Sequence, residues 1–204
     1  ACHVEIIAGD TKVVPRGAAD GLFINTSGIG ELVDPVPPGP HSIKVGDKLL
    51  VSGPIGQHGI AVMSARDSFA FEWATKSDSC SVIPHVTALR NSVGGHLRAI
   101  RDATRGGVSA VLHEWAQECG HTFALTESQI PVTEDVRGAC ELLGLDPLYV
   151  ANEGTIVVAI DPRFAEAAAT ALRQVPGCEL AAIVGEVQPQ GISPVTIRRT
   201  FAAP

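Results

Sequence analysis

The chain has 204 residues, 22 of them acidic and 15 basic, for a formal charge of −7, and 45% of it is apolar. That length suits one domain or one and a half, with enough apolar material for a sizeable core, so a disordered chain is excluded. A negative balance without a Lys/Arg cluster argues against nucleic acid as a partner, because phosphate neutralisation dominates such binding. Apolar runs such as Thr155 to Ile160 fall far short of the ~18–20 residues of a membrane-spanning helix. The opening Ala-Cys-His-Val-Glu-Ile-Ile lacks the basic region and long apolar stretch of a signal peptide, so neither a membrane nor export is expected, and the expected location is cytoplasmic.

In chain order, Val4 to Ile7 and Leu22 to Thr26 read as short strands around the turn-rich Gly9-Asp10-Thr11-Lys12 and Pro15 to Gly21. Two such strands cannot bury their own apolar face, so they read as the end of a sheet begun upstream. Asp34-Pro35-Val36-Pro37-Pro38-Gly39-Pro40 is the densest Pro/Gly stretch; prolines sustain neither ladder nor helix, and a domain boundary is expected there. Lys48 to Ser52 reads as a strand, Gly53 to Gly56 as a loop and His58 to Phe69 as a helix. Val108, Val111, Leu112, Trp115, Ala116 and Cys119 recur at helical spacing after Gly106-Gly107, and Gly120 stops that helix. Phe123 to Leu125 is the next strand, and Thr133 is the expected N-cap of a helix burying Val136, Ala139, Cys140 and Leu143 before Gly144. Leu148 to Ala151, Thr155 to Ile160, Leu180 to Val187 and Val195 to Arg199 read as strands, with Asp161-Pro162 capping a helix that Pro176-Gly177 ends. Helices and strands alternate irregularly, which predicts an α+β layered domain and not a doubly wound parallel sheet.

The five cysteines are widely spaced, with no C-x-x-C, and the seven histidines form no H-x-H or H-E-x-x-H, so neither a disulfide framework nor a protein-bound transition metal is indicated. Three short motifs carry possible chemistry. Gly9-Asp10-Thr11-Lys12 offers a carboxylate, a hydroxyl and an ammonium on a turn, suited to Mg²⁺ and phosphate or simply to a turn. Asp102-Ala103-Thr104-Arg105-Gly106-Gly107 precedes a helix, where glycines let backbone N–H groups approach an anion; an ordinary capped helix start reads the same. Asn152-Glu153-Gly154 interrupts two apolar segments, placing Glu153 as a general base or as the solvated tip of a tight turn. Ser77-Asp78, with Arg66 and Asp67, reads as the solvated charged ends around the helix from His58 and is assigned no chemistry. No ordinary P-loop or nucleophile elbow is present.

Taken together, Gly9 to Val14, His58 to Arg66, Asp102 to Gly107, Leu143 to Tyr149 and Val150 to Gly154 resemble, in order and spacing along nearly the whole chain, the HypE family of hydrogenase maturation proteins. That family is part of the aminoimidazole-ribonucleotide-synthetase (PurM-like) superfamily, with selenophosphate synthetase and thiamine-monophosphate kinase. The Asp102 to Gly107 motif is close to the shared superfamily pattern, and the Asp146 to Gly154 stretch points to HypE. The resemblance implies a three-layer α/β/α domain with a mixed sheet over residues 35–204, preceded over residues 1–34 by the last strands of an ATP-binding, dimerising N-terminal domain. It implies an ATP- and Mg²⁺-dependent carbamoyl dehydratase, in which a C-terminal cysteine receives a carbamoyl group from the carbamoyltransferase HypF. ATP activates the carbamoyl oxygen, loss of phosphate leaves a thiocyanate, and the cyanide passes to iron on a HypC–HypD scaffold.

By position in the resemblance, Asp10 and Asp102 are Mg²⁺ ligands, and Thr11 belongs to the nucleotide site. Lys12 neutralises charge near the phosphoryl or carbamoyl oxygen, and Glu153 is the general base. Asp102, Thr104, Arg105, Gly106 and Gly107 line the nucleotide-phosphate side. Two departures stand out. Members of the family end in Pro-Arg-Ile-Cys, whereas this chain ends Thr200-Phe201-Ala202-Ala203-Pro204, and most of the family's N-terminal domain, with its dimer interface, has no counterpart here. The chain is therefore expected to be a C-terminal part without dehydratase activity of its own, of a protein that is homodimeric when intact, the oligomeric state of the part itself staying open. Cys178 is internal and no substitute for the terminal thiol. Two alternatives stay open: a sibling ATP-dependent enzyme of the selenophosphate synthetase or thiamine-monophosphate kinase type, and a non-catalytic docking module of the maturation complex.

Overall fold

The computed structural model describes residues 4–66 and 75–199. Six strands form one sheet: β1 (Lys48–Val51), β2 (Leu97–Asp102), β3 (Thr122–Thr126), β4 (Ile156–Ile160), β5 (Ala182–Gln188) and β6 (Val195–Arg198). Their order is β2-β4-β1-β5-β3-β6, antiparallel throughout except for the parallel pair β3 and β6. Among the described residues five α-helices accompany it: α1 (Gln57–Arg66), α2 (Ile83–Val93), α3 (Gly107–Cys119), α4 (Glu134–Leu143) and α5 (Ala165–Arg173).

The three layers follow from alternation along the central strands. All five residues of β4 are buried, which a strand achieves only when both faces of its sheet are covered. Val157 and Ala159 face one side with Leu49, Val51, Ala99, Phe123 and Leu125, under the α3 stripe of Val108, Val111, Leu112 and Trp115. Ile156, Val158 and Ile160 face the other side with Leu50 and Leu97, under Leu89 and Val93 of α2 and Ala165, Ala168, Ala169 and Leu172 of α5. The small α5 residues let that helix lie close to the sheet; each large side chain fully buried here contributes about 1.5–3 kcal/mol. A smaller cluster of Ile60, Val136, Ala139, Cys140 and Val150 joins α1 to α4. The α+β, three-layer mixed-sheet expectation therefore holds for this unit.

One ion network ties three strands at their ends. Asp47, buried beside β1, accepts from the Lys44 N–H at 2.8 Å and from Arg98 Nε of β2 at 3.1 Å. Arg98 Nη2 reaches Asp161 at 3.3 Å, just past β4. Asp161 also caps the turn before α5, accepting from the Arg163 N–H at 3.1 Å.

Several expectations need correction. Val4 to Ile7 and Leu22 to Thr26 are not strands; residues 4–36 are exposed, with Ile6, Val13 and Phe23 meeting no apolar face among the described residues. Leu148 to Ala151 is not a strand either. Pro147 has no N–H for a ladder, and the Asp146 carboxylate closes a 3₁₀ turn over Pro147–Tyr149 by accepting from the Leu148 N–H at 3.0 Å. Helix α2 and strand β2 have no counterpart in the sequence reading: α2 mixes β-branched and polar residues, and β2 interleaves Arg98 and Arg101 with its apolar residues. Thr133 is the N-cap of α4 by backbone, but its hydroxyl makes no cap hydrogen bond. Helix α1 begins at Gln57 as expected within one residue; its expected end at Phe69 lies outside the described residues, as do Asp67, Cys2 and the terminal Thr200 to Pro204.

Candidate functional site

An open cleft of about 980 Å³ lies between the exposed side of α1, the turn before α3 and the loop from α4 to β4. Its polar walls are His58 and Arg66 of α1, Thr104 and Arg105 of the pre-α3 turn, Tyr149, and Glu153. A second concavity of about 410 Å³ lies over β5, β3 and β6, but its charged residues include Lys48 and Glu186, which pair with each other at 2.7 Å, and it holds none of the candidate residues.

The turn bearing Glu153 is held from three directions. Asn152 is completely buried: its Oδ1 accepts from the Gly56 N–H at 2.7 Å, and its Nδ2 donates to the carbonyls of Ala103 at 2.9 Å and Val150 at 3.2 Å. Its own N–H donates to Ala103 O at 3.0 Å, so one side chain locks the pre-α3 turn, the pre-α1 loop and the 150–155 loop together. From outside, the Asp78 carboxylate accepts from the N–H groups of Glu153 (3.1 Å), Gly154 (2.9 Å) and Thr155 (3.0 Å). Gly154 is required by that approach, since a Cβ there would sit 1.9 Å from the Asp78 carbonyl oxygen. The backbone is thus fixed on both sides while the Glu153 side chain projects into the cleft, about 43% exposed. His58 stands across from it, with Nε2 at 4.0 Å from Glu153 Oε1. Two guanidinium groups, a carboxylate and an imidazole around one cleft can hold an anionic substrate and take a proton from it.

The structure brings Glu153, Thr104 and Arg105 to this cleft; Gly106 and Gly107 follow in the same turn but are not among its lining residues. Gly107, at φ +63°, has the carbonyl oxygens of Leu148 and Val150 at 2.4 and 2.7 Å from where a Cβ would stand, so it serves close packing of α3 against the 148–150 backbone. Asp102 is at the exposed end of β2, paired with Ile156. Asp10, Thr11 and Lys12 are exposed in the N-terminal segment and are not among the cleft's lining residues; Asp10 Oδ1 accepts only from the Thr11 N–H, at 2.8 Å, among the described contacts. Among the described residues no three His, Cys, Asp or Glu are placed to hold a metal ion. Burial pushes the Cys178 thiol up to about 11, which removes the thiolate a nucleophile needs.

Sequence reasoning missed three residues here. Asp78 is no solvated helix end but the acceptor that shapes the Glu153 turn, and Arg66 lines the cleft; both had been set aside. Asn152, read only as a flank of Glu153, is the buried hub, and an Asn between two apolar segments was the signal available for it.

Residues 44–197 match the family described as AIR synthase related protein, C-terminal domain. The carbamoyl dehydratase HypE of Bradyrhizobium diazoefficiens is 48% identical over 183 residues, covering 90% of this chain and 53% of the relative. That of Escherichia coli is 45% identical over 187 residues, covering 92% and 55%. The chain spans about half the length of these curated relatives. Among solved structures, E. coli HypE, a hydrogenase maturation protein, superposes with a TM-score of 0.86 at 42% identity, covering 94% of this chain and 58% of that one. A HypE–HypF complex gives 0.75 at 37% identity, with 80% and 53% covered, and a HypE in complex with ATP gives 0.72 at 40% identity, with 78% and 47% covered. The chain belongs to the AIR synthase related protein family, carries that family's C-terminal domain at residues 44–197, and falls with the HypE proteins within it.

Proposed function

We propose that this chain supplies the base-bearing wall of an ATP-dependent carbamoyl dehydratase, which converts a carbamoylated C-terminal cysteine to a thiocyanate during [NiFe] hydrogenase maturation. The observation that carries the reading is the Glu153 carboxylate, displayed by a turn pinned through Asn152 and Asp78 into a cleft whose other charges are Arg66 and Arg105. The HypE relatives named carbamoyl dehydratase support the activity, and the HypE–ATP complex supports the nucleotide.

The chemistry fits those groups. Loss of water from a primary thiocarbamate requires two nitrogen protons to leave and a poor oxygen leaving group to be activated. ATP, when bound, supplies the phosphoryl group that lets that oxygen depart as phosphate. Glu153 takes one nitrogen proton as the oxygen is phosphorylated, releases it to solvent through the open cleft, and takes the second as phosphate departs and the C≡N bond forms, while Arg105 and Arg66 hold the anionic oxygens nearby. Mg²⁺ belongs to the same reading as the nucleotide's companion, with Asp10 and Asp102 assigned to it by resemblance, and no step runs through the ion. Lys12 is assigned to charge neutralisation by resemblance alone. The domain division at residues 34 and 35, the homodimer and the cytoplasmic location belong to this reading too; no helix among the described residues is long and apolar enough to cross a membrane. HypF as carbamoyl donor is supported by the HypE–HypF complex, and a HypC–HypD acceptor of the cyanide completes the proposal.

The test is intact-mass spectrometry of the full-length protein after S-carbamoylation, with and without ATP. A mass loss equal to one water, only with ATP and localised to a terminal cysteine, is expected, and no uptake of carbamoyl would overturn the reading. Glu153→Gln is expected to slow the loss by about a hundredfold or more; an unchanged rate would remove Glu153 from the mechanism.

A further inference from the structure

We propose that His58 is a positioning residue for the Glu153 carboxylate, oriented in turn by Ser77; this rests on Glu153 being the base. His58 is in the first turn of α1, and the next residue, Gly59, donates its N–H to the Ala151 carbonyl at 3.0 Å. That bond joins the helix start to the strip of chain leading into the Glu153 turn, so the two side chains hold a fixed separation. The His58 imidazole, 27% exposed, turns Nε2 to Glu153 Oε1 at 4.0 Å and Nδ1 to Ser77 Oγ at 2.9 Å.

Ser77 Oγ accepts from the Ser79 N–H at 3.1 Å and still has both a hydroxyl proton and a second lone pair for His58 Nδ1, so this contact orients the ring in either tautomer. Nε2 is then the nitrogen that faces Glu153. Among the described residues His58 is the one ion-pair partner of Glu153. Asp78, the other carboxylate of this corner, has its oxygens committed to the N–H groups of residues 153–155, and Arg66, Arg105 and Tyr149 complete the charged or titratable lining. With Glu153 about 43% exposed, the imidazole 4.0 Å from Oε1 is what biases its carboxylate toward this side of the cleft, where it takes the nitrogen proton.

The experiment is single-turnover loss of water from the S-carbamoylated full-length protein with ATP, read by mass. His58→Ala is expected to lower the rate by about tenfold to a hundredfold, the cost of a misplaced base, with KM for ATP unchanged. His58→Gln carries an amide N–H near the Nε2 position and is expected to recover most of the rate. Ser77→Ala changes an exposed hydroxyl without touching α1 and is expected to slow the reaction by less than His58→Ala. An unchanged rate for His58→Ala or Ser77→Ala, no recovery by His58→Gln, or a loss confined to KM for ATP would each overturn the proposal. The base reading fails differently: unsubstituted protein that loses no water, or Glu153→Gln at full rate, overturns that reading and this one with it.

Discussion

Residues 152–155 and residues 9–12 are both short polar segments bordered by apolar residues, and each carries a charged side chain that the HypE resemblance makes functional. The first turn receives a buried Asn152 hub and three N–H bonds to Asp78, from a stretch of chain 75–77 residues away. The second has one hydrogen bond, between adjacent residues Thr11 and Asp10, and lies in an exposed segment. Four letters of sequence fix neither geometry. What differs is whether distant backbone and side chains close around the turn, and a charge becomes a positioned charge only in the first case.

The sharpest way to break this contrast is to push Asp78 off the Glu153 turn. In Gly154→Ala the new Cβ meets a backbone carbonyl at 1.9 Å and a nearby Cys80 sulfur at 2.7 Å, so one of the two chain segments must move. A loss of about 3 kcal/mol or more is expected, the scale of an overpacked core, read as a drop in melting temperature of roughly 6–12 °C. Asp78→Ala removes the same contacts from the other side, at about 2 kcal/mol. The two changes combined should cost clearly less than their sum, because each already breaks the same interaction. Strict additivity would show that Asp78 does not hold this turn.

A carboxylate held by cations gives the next, pH-dependent comparison. Hydrogen bonding to the Arg163 guanidinium, with added attraction from Arg98, holds the Asp161 carboxyl well below the usual carboxylate range despite its partial burial. Its folded value is depressed, so the stability it contributes is present above the unfolded value of about 3.9 and is lost as pH falls toward the folded one. Asp161→Asn is expected to be less stable than the unsubstituted chain at pH 7, with the gap in urea midpoint closing as pH falls below about 4. A gap that stays constant with pH would mean that Asp161 acts only as a neutral cap for the Pro162–Phe164 turn.

The parts legible in the sequence were those whose cause is local. Strands β1, β3, β4, β5 and β6 announce themselves as apolar runs between turn residues, and α3 and α4 as stripes ended by Gly120 and Gly144, both in the left-handed region. Strand β2 escaped because its arginines break the apolar pattern for different reasons: Arg98 is drawn in to answer Asp47 and Asp161, while Arg101 pairs with Glu114 at the exposed end of the strand. In the site, Glu153, Thr104 and Arg105 were legible as motif residues. Asp78 and Asn152 were not, since their importance lies in partners 49 to 96 residues away that no local pattern reports. Gly106-Gly107 reads locally either as an anion cradle or as an ordinary helix start, and no local pattern shows that Gly107 packs against the carbonyls of Leu148 and Val150.

The smallest expected effect lies at the other end of the comparison. Ile29 is 98% exposed in the N-terminal segment, and replacing it by Ser removes no buried contact among the described residues. The expected change is within about 0.5 kcal/mol, as for surface substitutions generally. Leu50→Ala, at a fully buried position between the sheet and α5, is expected to cost about 2–5 kcal/mol in the same assay. The pair calibrates each region against the other within one chain. Should Ile29→Ser destabilise on the scale of Leu50→Ala, the segment would be docked on an apolar surface in solution. The Gly9 to Lys12 segment would then be positioned by that docking, and the contrast with the Glu153 turn would be one of degree.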